Sequence, residues 1–418
     1  MPRFVHHGTL MDVPVRKREI FGWCCYDFAN SAFITVVITV VFGPFFTGVV
    51  AAANPAANTL WSVTLGVSQA LVIVFGPVLG AMADVTATKK TFLLSMMWVC
   101  SAATASLWFT GPGTLWTACA LVILSYAAFS FGENFCASFL GELSTPQNVG
   151  RVSGYGWSFG YLGGLTALGI ALLVLQFAGA RIQWVFVATA SLMVLATLPV
   201  AILLHERKQP EPHSGSWIRL GWQSIAEAMR DLPQHRELGK FLLAFLFYMS
   251  GLGAVVAFAA IYAEKVLGFT TTENILLFAS LQISSALGAL LCGWWQDRVG
   301  SIRALSVSLL LWCGVALGAY FCGGKTAFFF VGNLAGLAIG SSQAASRAVV
   351  VQLSPRERAA QFFGFWGVAG KLAAVAGPVA MGVLADMFGL RPSILVTLVF
   401  FVIGLMVLRT VRIAPRSV

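Results

Sequence analysis

Four ionisable residues interrupt otherwise apolar runs of this chain: Asp27, Glu133, Arg347 and Lys371. Removing a charge from water is costly, so each is a functional candidate by position alone. Asp27 has Asn30 three residues on, and Arg347 has Gln343 four residues before it, so in a helix each pair shares a face. Glu133 is followed at once by Asn134. Lys371 lies about ten residues into its apolar segment, which is mid-depth for a helix rising about 1.5 Å per residue.

These groups offer a definite chemistry. A carboxyl raised in pKa by burial and lowered by a nearby cation can be poised to exchange a proton, and it can also hold an amine. For Asp27 the competing reading is a structural acid that caps or pairs near the start of its helix. Lys371 can bind a carboxylate, or pair with Glu133 or Asp27, statically or reversibly. Arg347 can close a gate, contact an anion, or reach back to a membrane surface along its apolar stem. Two acids in the first half and two bases in the second would set opposite charges across a central space. Such a division suits a zwitterionic solute such as an amino acid, and it equally suits salt bridges that open and close.

A second group lies in a repeated turn. Gly80, Asp84, Lys89 and Lys90 follow one apolar segment, and Gly293, Asp297, Arg298 and Arg303 follow another much later. A carboxylate at such a helix end can lie against the positive N-terminus of a neighbouring helix, making the turn a candidate latch. The bland alternative is a topological stop signal. The copies differ, because Asp297 is followed at once by Arg298, whereas Asp84 is followed by Val85. Asp84 is therefore the less locally neutralised acid and the better candidate for a contact between helices.

Other chemistries find no support. There is no phosphate-binding Gly-Lys-Ser/Thr loop. All five histidines (His6, His7, His205, His213, His235) fall in polar stretches, so a histidine metal site or proton relay within the apolar segments is not expected. The eight cysteines lack metal-ligand spacing and read as reduced packing residues. No catalytic residue, metal or cofactor is expected.

The elements that must position these groups are apolar helices. Of 418 residues, 58% are hydrophobic and only 10% charged, against roughly 25% charged in a soluble domain. Mean hydropathy is +0.84. The bilayer must be the main solvent, and segments that stay apolar for about twenty residues exclude a β-barrel. They run roughly over 20–50, 60–83, 90–110, 114–140, 153–178 and 182–204, and again over 239–264, 273–295, 302–322, 326–350, 361–385 and 392–412. The expectation is an N-terminal six-helix bundle over 1–204, a linker over 205–237 and a C-terminal six-helix bundle over 238–418. In the linker, Ile218, Trp222, Ile225, Met229 and Leu232 recur at helical spacing, as in an amphipathic helix lying on a membrane.

Net charge is +10, which raises the possibility of nucleic acid. The distribution argues against it. With the first loop outside, only Arg181, Lys265, Lys325 and Arg391 fall in outer loops, while basic residues from Arg3 to Arg416 gather at the other side. That asymmetry places both termini in the cytoplasm. No cleavable signal is visible, since 1–19 is polar and the first apolar run is too long.

A further repeat supports duplication: Leu143-Ser144 and Gly154 correspond to Leu353-Ser354 and Gly364, each before a glycine-rich segment. Six plus six helices with the paired turn resemble the major facilitator superfamily of secondary transporters. Three stretches are similar to its vacuole effluxer family, in particular the bacterial branch termed the unknown major facilitator group. They are Tyr26-Asp27-Phe28-Ala29-Asn30-Ser31, Gly154-Tyr155-Gly156-Trp157-Ser158-Phe159-Gly160-Tyr161, and Ser346-Arg347 with Phe362-Phe363-Gly364 through Gly370-Lys371. The chain departs from that family after Tyr248, where no acidic residue follows.

The resemblance implies two bundles rocking about a central site, with amino-acid efflux in fungal vacuolar members, and it adds Tyr161 to the site. Together these observations lead to the expectation of a monomeric secondary transporter in an inner membrane. It would move a small polar, amino-acid-like solute, coupled to protons through Asp27 and Glu133, with lipid as its surroundings. Export of lipophiles, or a receptor on a transporter scaffold, are the alternatives.

Overall fold

In lipid every backbone polar group must be satisfied internally, and a helix does this within one segment. The computed structural model describes residues 15–143, 149–177, 181–206, 216–219, 222, 226, 236–353 and 359–412. Some helical side chains, including those of Asp84, Arg151, Asp297 and Arg347, and the surroundings of Gly293, lie outside that description. Among the described residues, twelve helices are long and apolar enough to cross a membrane. They are α1 (Lys17–Val50), α2 (Ala57–Thr86), α3 (Lys89–Ser106), α4 (Leu115–Leu143), α5 (Val149–Phe177) and α6 (Gln183–Leu203). Then follow α7 (Arg236–Leu267), α8 (Thr271–Val299), α9 (Ser301–Phe321), α10 (Lys325–Leu353), α11 (Ala359–Phe388) and α12 (Leu390–Leu408). No strand occurs among the described residues.

The helices form two bundles of six with matching partners. In the first half α1 packs on α5 and α6, α3 on α4 and α6, and α2 on α4; in the second, α7 packs on α11 and α12, α9 on α10 and α12, and α8 on α10. The halves meet chiefly where α2 crosses α11 and α5 crosses α8. Alternate helices reverse direction. One face, here the terminal face, therefore carries Lys17, the α2–α3 and α8–α9 turns and Arg412, and the opposite, distal face carries the start of α2 and the end of α11.

Small residues set the close crossings. A Cβ added to Gly163 on α5 would fall against the Phe28 carbonyl of α1, so the two backbones touch only because glycine is there. The two repeated turns end their helices through left-handed backbone, at Ala87 (φ 52°) and Gly300 (φ 89°). Only the first incurs the penalty of a Cβ in that region.

Helix α1 is not uniform. Lys17–Phe33 is α-helical, Ile34–Val40 widens to a π-helix, and Phe42–Phe45 and a second π turn at Phe46–Val50 complete it. The widened stretch reads Ile-Thr-Val-Val-Ile-Thr-Val. Such β-branched residues crowd the preceding turn of an α-helix, and Pro44 offers no amide to the ladder beyond. Thr39 Oγ1 donates to the Ile34 carbonyl at 3.0 Å and helps satisfy the loosened turn.

Lys265, Lys325 and Arg391, expected in loops, lie instead in the last turn of α7, at the first residue of α10 and in the first turn of α12. The helices continue past the apolar stretch because end-turn polar groups find partners there: Thr270 and Glu273 form a capping box on α8, and Lys325 Nζ reaches Glu273 at 2.6 Å. In the linker Ile218 and Trp222 are helical and exposed, whereas Ile225, Met229 and Leu232 fall outside the described residues.

Candidate functional site

Among the described side chains of the expected charged residues, Lys371 and Glu133 meet across the two halves. Lys371 of α11 donates to Glu133 Oε2 of α4 at 3.0 Å. Of the partners open to Lys371 from the sequence, the contact is with Glu133. The Glu133 side chain remains 49% exposed and that of Lys371 16%. Exposure of that size at an inter-half contact means the space between the halves is open there.

Asp27 lies within the first half. Its carboxylate packs against Gly156 of α5, and Cys136 Sγ of α4 approaches Oδ1 at 3.8 Å. Trp23, one turn earlier, donates to the Cys136 carbonyl at 2.9 Å and fixes α1 on α4. Asn30 is buried, and its Oδ1 has no hydrogen-bond partner among the described residues. A buried amide oxygen left unsatisfied carries a desolvation cost that a donor in a bound solute or water would relieve. Gln343 is half-buried on α10, and the Arg347 side chain is outside the described residues.

The main cavity, about 210 Å³, lies between α1 and α5 of the first half and α7, α8, α9, α10, α11 and α12 of the second. Its wall is mostly apolar, with polar groups from Ser31, Thr35, Thr39, Tyr161, Gln282 and Thr397. The π-helical turn brings Ile34, Thr35 and Thr39 to this wall. Gln282 of α8 reaches Thr35 Oγ1 at 3.4 Å across the halves. Tyr161 lies beside Trp157, the rings tilted by 32° with centroids 6.1 Å apart, and both line the cavity. Asp27, Asn30, Glu133, Asn134, Gln343 and Lys371 are not in its lining. The structure thus separates the expected charged site from the apolar chamber. Gln282 escaped the sequence reading because no ionisable residue lies within a turn of it to draw notice, as one does for Asn30, Asn134 and Gln343, although an amide in an apolar helix also carries a desolvation cost.

A smaller cavity of about 80 Å³ between α2 and α4 gathers Gly80, Lys89 and Asn134 with Ser138. The bases of the first repeated turn have partners within their own half. Lys89 Nζ meets Glu142 Oε1 at 2.9 Å, Lys90 Nζ donates to the Ala201 carbonyl at 2.7 Å, and the Lys90 amide donates to Glu206 Oε2 at 2.9 Å. Burial pushes the Glu206 carboxyl above its ordinary value, with the Lys90 amide and Lys89 opposing and Glu142 adding to the rise. Nearby, His205 Nδ1 lies 3.0 Å from Glu19 Oε1. Arg298 and Arg303 are exposed, and the side chains of Asp84 and Asp297 lie outside the described residues.

A contact the sequence reading missed closes the distal end of the seam. Asp386 of α11 accepts from Asn58 Nδ2 at 2.6 Å, from the Thr59 amide at 2.7 Å and from the Asn58 amide at 3.4 Å. Beside it, a Cβ at Gly382 would fall on the Ser62 hydroxyl and within 2.7 Å of the Asn58 carbonyl. On the same side Lys265 Nζ donates to the Thr47 carbonyl at 3.2 Å and Trp61 Nε1 to the Ala257 carbonyl at 3.3 Å. The available signal was an acid ending an apolar segment and a helix start with free amides.

The family profile described as Vacuole effluxer Atg22 like matches residues 49–415. An uncharacterized MFS-type transporter of Bacillus subtilis, YxiO, is 29% identical over 93% of both chains. An Autophagy-related protein 22 from Cryptococcus neoformans is 26% identical over 65% of this chain and 52% of its own length. Among solved structures, a bacterial homologue of the human lysosomal transporter Spinster, inward-facing and occupied, superposes with a TM-score of 0.70 at 17% identity, covering 96% of this chain and 97% of that one. The nucleoside transporter NupG gives 0.66 at 14% identity over 94% and 98%.

Proposed function

The chain belongs to the vacuole effluxer Atg22-like family and is a membrane transporter of the major facilitator type; on that premise we propose that it moves a small amino-acid-like zwitterion by alternating access. The observation that carries this reading is the Lys371–Glu133 pair, 3.0 Å apart across the halves with the Glu133 side chain half exposed. A solute with its own carboxylate and ammonium can replace each member of that pair by the other's charge. Neither protein group is then left unpaired, and the halves are freed from one another.

Protons enter the same scheme. Asp27, half-buried within the first half, and Glu133, exposed between the bundles, are the carboxylates this scheme assigns to the protons, and a proton on Glu133 would release Lys371 as a solute does. The basic terminal face, cytoplasmic by the positive-inside rule, makes the arrangement seen here open to the cytoplasm of an inner membrane. A monomer suffices, because each chain contains both halves of the site.

A purified-protein thermal-shift screen against amino acids, peptides, sugars and organic anions tests the substrate class, since a ligand of the folded state raises its apparent stability. Amino acids are expected to stabilise the parent, and Lys371→Ala to abolish their effect. An unchanged shift in Lys371→Ala would overturn the zwitterion reading. In proteoliposomes, Asp27→Asn or Glu133→Gln should remove the response to an imposed pH gradient. The apolar wall of the main cavity favours a second reading, export of a lipophile, whose sign would be stabilisation by uncharged apolar compounds independent of Lys371.

A further inference from the structure

The contact at the distal seam belongs to neither the ion pair nor the chamber. Helix α2 begins at Ala57, so the amides of Asn58 and Thr59 fall in its first turn, where no carbonyl of the same helix can accept them. Its N-cap position is Ala56, which offers no side-chain acceptor. The acceptor comes from the other half: both oxygens of Asp386, in the last turn of α11, lie on these amides and on Asn58 Nδ2.

We propose that Asp386 is a positioning residue for transport, an N-cap supplied in trans that holds α2 against α11 and sets how often the distal side opens. A carboxylate at a helix N-terminus satisfies the orphan amides and complements the positive end of the helix dipole. Hydrogen bonds to an ionised acceptor are among the stronger ones in proteins. One turn earlier Gly382 lets the two backbones touch, so cap and close approach form and part together. Lys265 of α7 is near enough to attract the same carboxylate, but its ammonium is held on the Thr47 carbonyl. The contact is also reversible. Asp386 and Asn58 are only half-buried at the distal end of the seam, so separating the helices delivers amides and carboxylate to water. A strut fully buried in lipid could not be undone that way.

The inference rests on alternating access, but its test needs no substrate, so its failure leaves the zwitterion reading where it stands. Val379, two turns before Asp386, packs on Gly66 of α2 within the closed seam. Ser138 borders the small cavity between α2 and α4 nearer the terminal face. Single cysteines at these positions, V379C and S138C, are reacted in nanodiscs with a charged thiosulfonate reagent. Rates are taken over the parent, whose eight cysteines are buried or half-buried. Adding D386A or D386N should speed modification of V379C about tenfold or more, the factor carried by losing a hydrogen bond to a charged group. Modification of S138C should not rise. N58A removes one of the three donors and leaves both amides on the carboxylate, so it should give a smaller rise than D386A. It carries the same test if the Asp386 variants are not recovered folded. Unchanged V379C rates would overturn the proposal. Equal acceleration at V379C and S138C would also overturn it, since that marks general loosening.

Discussion

Toward the distal face the halves are joined by backbone: two amides of α2 on the Asp386 carboxylate, and glycine-mediated contact at Gly382. Toward the terminal face the described bridge is one ion pair between long side chains, Lys371 and Glu133, the latter half exposed. The polar contacts described at the terminal face itself each stay within one half: those of Lys89, Lys90 and His205 within the first, and those of Glu237 and Lys240 with Thr410 and Arg412 within the second. Backbone contacts act over tenths of an ångström and are either made or lost. A half-exposed ion pair is screened, tolerates several geometries and can be exchanged for other ions. The first kind suits a door that must shut completely, and the second suits a place where a charged solute competes.

The largest effect expected from this contrast is at Gly382. Replacing it with valine puts a methyl branch against the Asn58 carbonyl, which cannot turn away as a side chain can. Overpacking of this kind costs about 1–3 kcal/mol or more. The apparent melting temperature should fall progressively from glycine to alanine to valine, and a Gly382→Val protein melting like the parent would mean the seam is not shape-determined. A smaller effect is expected from the ion pair. A double-mutant cycle of Lys371→Met and Glu133→Gln, read by thermal stability, should give a coupling of about 1 kcal/mol or less, as for exposed pairs, that fades at high salt. A salt-independent coupling of several kcal/mol would make the pair a buried lock and erase the difference between the two ends.

The smallest effect sharpens the reading of the terminal face as anchored within its own half. The folded state holds Glu206 with a raised pKa, so it binds more protons than the unfolded chain between the ordinary value of 4.5 and the raised one. Stability from this group is therefore lost as pH climbs through that window. Glu206→Gln keeps an acceptor for the Lys90 amide and removes the titration. The stability of the variant relative to the parent should rise across the window and level off above it. A flat difference would mean the carboxyl is not desolvated.

Much of this was legible in the sequence, for physical reasons that can be named. Segment length and apolarity alone decide helices in lipid, so twelve spans in two sets of six follow from composition. The paired turn at Gly80 and Gly293 marks the duplication, because each copy closes the second helix of its half. Glu133 and Asp27 both stood out as partners for Lys371, since unpaired charges at that depth are costly, but only the packing of α4 and α11 chooses Glu133. Asp386 did not, because an acid at the end of a segment looks like a loop residue until its partners, 327 and 328 positions away, are brought beside it. The main cavity was missed for a different reason. Its wall is built of valines, alanines and phenylalanines that individually look like any packing residue, and only the crossing of helices from both halves leaves a space among them.

The widened turn of α1 has a consequence for gearing. A π turn holds about one residue more than an α turn, so across Ile34–Val40 the helix slips in phase. Below the slip α1 meshes with its own half, through Trp23 on α4, Asp27 on α5 and Gly22 against Leu203 of α6. Above it Gly43 faces Ile261, Gly48 faces Glu264, and Thr47 receives Lys265, all on α7 of the opposite half. One shaft thus carries two sets of teeth cut at different angles, and the first half grips the second through a helix whose lower end never leaves home.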